Sequence, residues 1–433
     1  MGVAREYGLT DYELYYQSSE STDVEIFKHE VNEFSSSTEG GVCLRCVYEG
    51  KMGYASTEEL SAQQAADIVR RAVNNAMTLE TEEKEFLVSG GQEYEKIEDE
   101  KYELPTTEEL IKKALEGQEA LYAADKSVID GTSAGASKSR SVTAIYNSRG
   151  LDLYRESESA AFMAAAVVTN GSEMSNDYNF KRGRFDEIDV NEVAKEAVEN
   201  AVAMLGADVA PTGAYPVVFA PKAMRSMLAA FSGIFSAENT QKGLSRLGGR
   251  VGETVASEIV TLVDDPFCAD GGLMTNFDAE GSPTHKKNVI ENGQLKTLLY
   301  NLKTAAVEGV ATTGNASKAG YDSPIGIRPF TMYIMPGDKS EDDILAGIGH
   351  GVYITSLGGL HAGANVISGD FSLQSSGFMI ENGKKGTPVK SFTVAGNFYG
   401  LLKGIKAVAS ELKIEGGFAS PAVLVEGLTV AGK

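Results

Sequence analysis

The sequence has only four histidines and three cysteines, the side chains that most often bind zinc. Catalytic zinc takes three protein ligands, and a helix presents two histidines to one metal only when they lie three or four positions apart. No pair of histidines in this sequence has that spacing. His285, His350 and His361 could form one site only if distant parts of the chain brought them together. We therefore interpret them as histidines in loops or on the surface. The four histidines are His29, His285, His350 and His361.

Two of the three cysteines form a C-x-x-C pattern, Cys43 and Cys46, within GGVCLRCVYEG. This segment has the composition of a β-strand, in which residues three apart point to opposite faces. We therefore predict buried or half-buried thiols rather than a zinc or redox site. Cys268 has no histidine near it in the sequence, and three cysteines do not make a disulfide framework.

Other catalytic motifs are also missing. The sequence contains no G-x-S-x-G elbow and no G-x-x-x-x-G-K-[ST] phosphate loop. The glycine-rich segment from Gly248 to Gly252 lacks the dinucleotide-binding spacing and is interpreted as a tight turn. Asp264 and Asp265 could form a carboxylate pair, although adjacent acidic residues at a strand end more often form a turn. No nucleophile and base can be paired from these residues.

The most organised stretch runs from Tyr215 to Pro266. It begins with a short apolar strand, 217–220, and Pro221 then occupies a position that suits the first turn of a helix. Apolar residues follow at spacings of three and four, which predicts a helix with one buried face. A glycine-punctuated turn and a β-branched run, 259–263, complete the stretch. The apolar helix positions are Met224, Met227, Leu228, Phe231, Ile234 and Phe235.

Length and charge narrow the classes of function. With 433 residues, of which 42% are hydrophobic, the chain can form two domains with real cores. The net charge of −22 disfavours direct nucleic-acid binding, which needs a basic surface, and favours a basic partner or peptide. No apolar run is long enough to span a membrane, and the charged N-terminus does not fit a signal peptide. We therefore expect a soluble cytoplasmic protein.

The sequence of the first half of the chain predicts an α+β arrangement of strands and long helices. Short strands at 24–27 and 42–47 flank the polar SSSTEGG, which is interpreted as a loop. Ser56 and Glu59 have capping-box spacing ahead of a helix that extends to about Leu79. The acidic run 80–109 is interpreted as an exposed connector, with docking of a basic partner as the alternative.

Further elements follow in the same half. Thr106 and Glu109 predict a helix start that leads to about Ala124. The segment 147–150 is expected to join strands 142–146 and 151–154, and strand 160–169 is expected to end at Asn170-Gly171. A helix over 190–205 then precedes a connector with glycine and proline, so we place the domains at 1–208 and 209–433.

The second half is predicted to be β-rich with a few helices. The phrase Ile-Glu-Asn-Gly occurs at 290–293 and at 380–383, each time between β-like residues, and predicts two hairpins. Further strands are expected at 330–335, 352–355, 378–380, 389–394 and 423–430. One helix is expected to start at Ser340, with Asp343 in its capping box, and another to cover 398–412.

Several of these phrases together resemble the TldD/PmbA family, the modulators of DNA gyrase. They include FDAEGSPTHKKNVIENG with Asp278, Glu280 and Gly281, and SGDFSLQSSGFMIENGKKGTPVKSFTVAGN, TTGNAS and LTVAGK. GGVCLRCVYEGKMGYAST near the N-terminus also resembles a family pattern. The likeness covers nearly the whole chain, and its strength comes from the combination of phrases.

The resemblance implies where a TldD-type protein would hold zinc. This chain departs from that pattern of ligands. In the TldD branch, the helix after the strand carries His-Glu-x-x-x-His, and a cysteine near the C-terminus is a further ligand. An ungapped match places Ala229, Ala230 and Ile234 at the helix positions and Ser420 near the cysteine position. The chain therefore resembles the PmbA branch, also called TldE, and no metal, cofactor or catalytic residue is expected in it.

The family implies a two-subunit cytoplasmic peptidase. This chain would be the metal-free partner of a zinc-bearing TldD-like subunit, and the pair would cleave or mature unfolded peptides. The alternatives are a non-enzymatic homodimer that binds peptides or proteins, and a self-sufficient metallopeptidase with relocated ligands. The family-motif residues that could line a groove are Arg250, Gly252, Glu253, Asp278 and Gly281.

Overall fold

The computed structural model describes residues 2–80, 87–97, 103–272 and 274–433. Its first half is a six-stranded sheet in the order β3-β2-β1-β4-β5-β6, with neighbouring strands antiparallel. The strands are β1 Asp11–Phe27, β2 Glu30–Tyr48, β3 Lys51–Thr57, β4 Ser133–Asn147, β5 Asp152–Thr169 and β6 Met174–Gly183. The helices are α1 Gly2–Glu6, α2 Ala62–Thr78, α3 Thr107–Ala124 and α4 Val190–Ala203.

Helices cover this sheet at two places. The buried residues of α3 and α4 form one core with β1, β4 and β5, centred on Phe162. A smaller core joins α2 to β2 and β3 through Ile68, Val69 and Ala72. The mixed α and β arrangement expected for this half is thus confirmed.

The second half is built on a barrel-like sheet. Strands β16, β15, β14, β7 and β19 follow one another around it, and a pairing between β16 and β19 closes the ring. Its strands are β7 Gly213–Phe219, β14 His350–Gly358, β15 Asp370–Glu381, β16 Lys384–Asn397, β17 Ile405–Val408 and β19 Val423–Ala431. A second sheet and a short ribbon contain β8 Leu262–Asp264, β9 Lys287–Glu291, β10 Gln294–Leu295, β11 Ala316–Ser317, β12 Gly326–Ile327, β13 Met332–Ile334 and β18 Phe418–Ala419.

Among the described residues of this half, six short helices accompany the strands. Strands predominate, which confirms the expected β-rich character. Helix α5 begins at Pro221 and buries the predicted apolar face, where Phe231 stacks on Phe398 with ring centroids 4.5 Å apart. A 3₁₀ turn, Ser232–Phe235, extends it. The helices are α5 Pro221–Phe231, α6 Ala237–Gln241, α7 Leu302–Glu308, α8 Glu341–Ala346, α9 Leu360–Gly363 and α10 Phe398–Gly404.

Four predictions based on local signals are confirmed. Thr106 with Glu109, and Ser340 with Asp343, form complete capping boxes at the starts of α3 and α8. Both Ile-Glu-Asn-Gly phrases form hairpin turns, in which Asn and Gly take the left-handed conformation that such turns require.

Three predictions about element bounds are wrong. The polar SSSTEGG lies inside β2, and the hairpin turn is at Lys28 and His29, because pairing with β1 keeps the polar segment extended. Helix α2 is capped by Ser61, whose side chain accepts from the Gln64 N–H, so the Ser56 cap is not used. The helix expected over 398–412 ends at Gly404, where the chain joins β17 and pairs with β19.

Other bounds shift less. The strands expected at 151–154 and 160–169 are one strand, β5. Cys43 and Cys46 lie on opposite faces of β2, each buried in a different core, as the alternation predicts. Within the acidic run 80–109, residues 81–86 and 98–102 lie outside the described residues.

The close packing of α2 on β3 gives a test of this fold. A Cβ at Gly53 would overlap the carbonyl oxygen of Ala72 in α2. We expect Gly53→Ala to lower the stability of the chain by about 1–3 kcal/mol through overpacking. Thermal unfolding followed by circular dichroism measures the effect. The matched control is Gly349→Ala, where an added Cβ meets no atom within 4 Å, and equal losses in the two variants would contradict the packing.

Candidate functional site

The three helix positions matched to zinc ligands do not share one face. Ala229 is exposed near the end of α5, and Ala230 is half-buried against the main core. Ile234 belongs to the 3₁₀ turn, and its side chain is fully buried among apolar residues. None of the three side chains has an atom that could ligate a metal.

Ser420, the position matched to the cysteine ligand, is buried and hydrogen-bonded within its own segment. The side chain is buried, and its hydroxyl donates to the carbonyl oxygen of Pro421 at 2.8 Å. It therefore has a local backbone partner.

The donor groups present elsewhere do not fit a zinc site either. His29 stacks on Tyr122, and His350 packs edge-on against Tyr215. Across the described residues, no group of three or more His, Cys, Asp or Glu side chains lies close enough to hold one metal ion.

The candidate groove residues belong to two separate turns. In the first, Arg250 pairs with Glu253 at 2.8 Å on the surface, and the Gly252 N–H donates to the Leu295 carbonyl at 2.7 Å. Gly252 has a left-handed backbone, which suits glycine there. This turn fastens the glycine-rich segment to β10.

The second turn, 278–281, is buried where the two halves meet. One oxygen of Asp278 accepts from the N–H groups of Glu280 and Ser282 at 2.9 Å each, and the other accepts from Ala316 N–H at 3.0 Å. The Tyr94 hydroxyl donates to the Gly281 carbonyl at 2.7 Å. Asp278 therefore shapes the turn, and Gly281 joins it to the N-terminal half.

Glu280 projects from this turn toward a buried arginine on β2. Arg45 Nε donates to Glu13 Oε1 at 2.7 Å, and Arg45 Nη1 lies 3.7 Å from Glu280 Oε1. Glu280 Oε2 accepts from the Leu302 N–H at the start of α7, at 2.8 Å. All three charged side chains are at most 5% exposed. One cation thus links two strands of the first sheet to the second half.

Burial changes the protonation of this cluster. It raises the pKa of Glu280 to about 8, against the opposing effect of Arg45, and raises the pKa of Asp278 to about 6. Burial also opposes the charge on Arg45, but Glu13 and Glu280 outweigh it and raise the arginine pKa. The terminal nitrogens Nη1 and Nη2 of Arg45 have no hydrogen-bond partner.

Glu280 lies in the wall of a cleft of about 720 Å³. The cleft is bounded by β3, α6, the start of α7 and the loop between β11 and β12. Its volume falls in the range of small-molecule and peptide pockets. Its lining residues are Tyr54, Glu238, Gln241, Lys242, Glu280, Asn301, Lys303, Thr304, Asp322, Ser323, Pro324 and Ile325.

The residues Asp264 and Asp265 do not act as a pair. Asp264 is fully buried and accepts from Lys287 Nζ at 3.1 Å, from Asn315 Nδ2 at 2.8 Å and from a backbone N–H. Asp265 accepts from the Phe267 N–H at 3.0 Å, as a turn-forming aspartate does. Asp264 therefore stabilises the second sheet of the C-terminal half.

The residues that line the cleft, among them Tyr54, were not predicted from the sequence, and neither were Glu13 and Arg45 behind the cleft wall. Arg45 had a usable signal, because a charged residue in the apolar run VCLRCVY must find a buried partner. Glu13 and Tyr54 had none, since each reaches the site only through strand pairing.

Comparison with known proteins decides the family. Three family models match in order: PmbA/TldA metallopeptidase domain 1 at residues 12–76, the central domain at 100–205 and the C-terminal domain at 212–432. The chain belongs to the PmbA/TldD family. The resemblance seen in the sequence is thereby confirmed.

Relatives in this family align over most of the chain. A metalloprotease of Methanothermobacter thermautotrophicus is 28% identical over 90% of this chain and 85% of its own length. Metalloprotease PmbA of Escherichia coli O157:H7 is 23% identical over 93% of this chain and 88% of its own length. PmbA/TldD proteins of both branch names are thus similar to it, since TldD homologues also match the chain in part.

Solved PmbA/TldD structures have the same fold. A Thermotoga maritima protein described as a modulator of DNA gyrase gives a TM-score of 0.91 at 32% identity, over 99% of this chain and 98% of that one. TldE of Thermococcus kodakarensis gives 0.90 at 24% identity, over 100% and 99%, and shows the fold. In the part of this family member that is described, no helix has the length and apolar character of a membrane span.

The raised pKa of Glu280 predicts a pH dependence of stability. Its value rises from an ordinary 4.5 to about 8 in the folded chain, so the folded state binds more protons than the unfolded state between these values. Its contribution to stability is therefore present below pH 4.5 and is lost as the pH rises to about 8. We expect the melting temperature of the wild type, relative to Glu280→Gln, to fall by a few degrees across this window.

The experiment is a series of melting curves at several pH values. The control is Glu258→Gln, which changes an exposed glutamate. Its melting temperature should differ from that of the wild type by the same amount at every pH. A Glu280→Gln profile parallel to that of the wild type would contradict the assignment.

Proposed function

We propose that this chain is the metal-free, PmbA/TldE-like subunit of a two-subunit cytoplasmic peptidase whose zinc lies in a TldD-like partner. The observation that carries the proposal is in α5 and the 3₁₀ turn that extends it, where the side chains of Ala229, Ala230 and Ile234 supply no ligand atom. The relatives named metalloproteases supply the reaction class. The metal would hold and activate water in the partner, and this chain contributes structure and substrate contacts.

The cleft beside Glu280 is the part of this chain that we assign to the substrate. It is bordered by polar side chains and backbone from four elements, which suits a segment of unfolded peptide held in extended form. Both Lys242 and Asp322 line it, so peptides of either charge find a complementary group. The substrate class is therefore an unfolded peptide, with the sequence preference set mainly by the partner.

We also propose that residues 1–208 and 209–433 are separate domains. The matches to the central and C-terminal family models end at 205 and begin at 212, which supports a boundary in this connector.

Reconstitution tests the assembly. We expect neither this chain nor a TldD-like subunit alone to cleave an unfolded peptide, and an equimolar mixture to do so until a chelator is added. Purified alone, this chain should contain far less than one zinc per molecule by elemental analysis. Stoichiometric zinc in the isolated chain would support the alternative with relocated ligands, and the absence of any complex would refute the partnership.

Filling the cleft tests the substrate assignment. The half-buried Ser323 lies in the cleft wall, and tryptophan there would occupy space that a peptide needs. We expect Ser323→Trp to raise the KM of the two-subunit enzyme several-fold while the complex still forms. Ser172→Trp, at an exposed turn, is the matched control. An unchanged KM in Ser323→Trp, with the complex intact, would remove the cleft from the substrate path.

A further inference from the structure

The guanidinium of Arg45 has donors that the rest of the described chain does not use. Its Nε donates to Glu13, but Nη1 and Nη2 have no hydrogen-bond partner among the described residues, although the side chain is only 4% exposed. Buried polar groups are nearly always hydrogen-bonded, and a buried charged donor without an acceptor is costly. Two nitrogens, each with two N–H groups, therefore lack an acceptor.

The two neighbouring carboxyl groups are held away from these donors. Glu280 Oε1 lies 3.7 Å from Nη1, beyond hydrogen-bond distance, while its Oε2 accepts from the Leu302 N–H and its turn is fixed by Asp278. Glu13 uses Oε1 for Nε, and its Oε2 accepts from Asn147 Nδ2 at 3.2 Å. The outer end of the guanidinium is thus available to an acceptor from elsewhere.

These donors lie directly behind the wall of the cleft. Arg45 on β2 is opposite Tyr54 on β3, so the two side chains are neighbours on one face of the sheet. Tyr54 and Glu280 both line the cleft, and β3 is the edge strand of the sheet. Rotation of the half-buried Tyr54 side chain would open a path from the cleft to Nη1 and Nη2. The cleft therefore ends at a cation with a pair of unused donors.

The charges around Arg45 decide which ligand fits. Glu13 offsets the charge of Arg45, and Lys318, which interacts with both, adds positive charge from the loop after β11. Asp278 is held by three backbone N–H groups. Burial raises the pKa of Glu280 to about 8, so this carboxyl is mostly protonated at pH 7. The carboxyl nearest to Nη1 is then uncharged and can itself donate to an anion.

The shape of the donor group favours a carboxylate. A planar guanidinium with both terminal nitrogens unused binds a carboxylate through two parallel hydrogen bonds. Every peptide with a free C-terminus carries such a group whatever its sequence, and capture of a terminal carboxylate is a recurring mode of peptide binding. Because β2 and β3 close the cleft at this point, a chain that reaches Arg45 has to end there.

We propose that the cleft holds the free C-terminus of an unfolded peptide, with the terminal carboxylate bound by Nη1 and Nη2 of Arg45 and by the carboxyl group of Glu280. The inference rests on the peptide role proposed above for the cleft and adds which end of the peptide is recognised. Arg45 then has two roles, since Nε ties β2 to β1 and the terminal nitrogens bind the ligand.

Calorimetric titration of the purified chain at pH 7 with a pair of peptides tests the proposal. The probes are an N-acetylated alanine–serine hexapeptide with a free C-terminus and the same peptide as its C-terminal amide. We expect the free acid to bind about ten to a hundred times more tightly, the effect of charge-assisted hydrogen bonds. Equal affinities would overturn the proposal. So would an amidated peptide ending in glutamate that binds as tightly as the free acid, because a side-chain carboxylate would then suffice.

A variant of the arginine tests the same point from the protein side. Arg45→Lys keeps a charge beside Glu13 but removes the planar pair of donors, so it should bind the acid and the amide equally. Circular dichroism checks that this variant is folded, and the peptide pair decides the question alone where it is not. The matched control is Arg184→Lys, at an exposed arginine just after β6, which should keep the full preference. A preference retained in folded Arg45→Lys would contradict the site.

Ser323→Trp separates this proposal from the assignment of the cleft to the substrate. Equal binding of the two peptides that Ser323→Trp weakens would remove only the carboxylate site and leave the cleft as a peptide site. Absence of binding by either peptide, or binding that Ser323→Trp leaves unchanged, would remove both assignments.

Discussion

The junction between the two halves depends on a buried arginine. Arg45 is inside an apolar strand, where an unpaired charge would be very costly, and its guanidinium is held between Glu13 of the neighbouring strand and Glu280 of the other half. The turn that carries Glu280 is in turn fixed by Asp278, and Glu280 also binds the first N–H of α7. The relative position of the two halves, and with it the wall of the cleft, is thus set by this buried polar cluster as well as by apolar packing.

Helix α5 is well packed, although the positions matched to zinc ligands carry no ligand atoms. The apolar face of α5 is fully buried, and Phe231 stacks on Phe398, so the element retains the packing that would position a ligand-bearing helix. Of the three positions matched to ligands, Ala229 is exposed, Ala230 is half-buried and Ile234 is fully buried in the core. Under the partnership proposed above, this chain keeps the family fold while the metal chemistry belongs to the TldD-like subunit.

Sequence signals were reliable where the deciding interactions are local. The capping boxes at Thr106 and Ser340 and both Asn-Gly hairpins involve residues within four positions of each other. They failed where distant pairing decides the conformation. SSSTEGG has the composition of a loop, yet β1 holds it as a strand, and the helix expected beyond Gly404 is replaced by pairing of β17 with β19. The cleft was also out of reach, because its wall combines residues as far apart as Tyr54 and Ile325.

Strand β2 divides at Gly41 into an exposed part and a largely buried part. A Cβ there would overlap the ring of Tyr321, so this position requires glycine for the first sheet to meet the β11–β12 loop. Beyond Gly41 the strand is covered by α2 and β3 and carries Arg45; before it the strand is polar and exposed. The same loop continues into the cleft wall at Asp322. The buried half of β2 thus supports one wall of the cleft through Arg45 and Glu280, and pairing with β1 holds the serine-rich half extended although it is unsuited to a core.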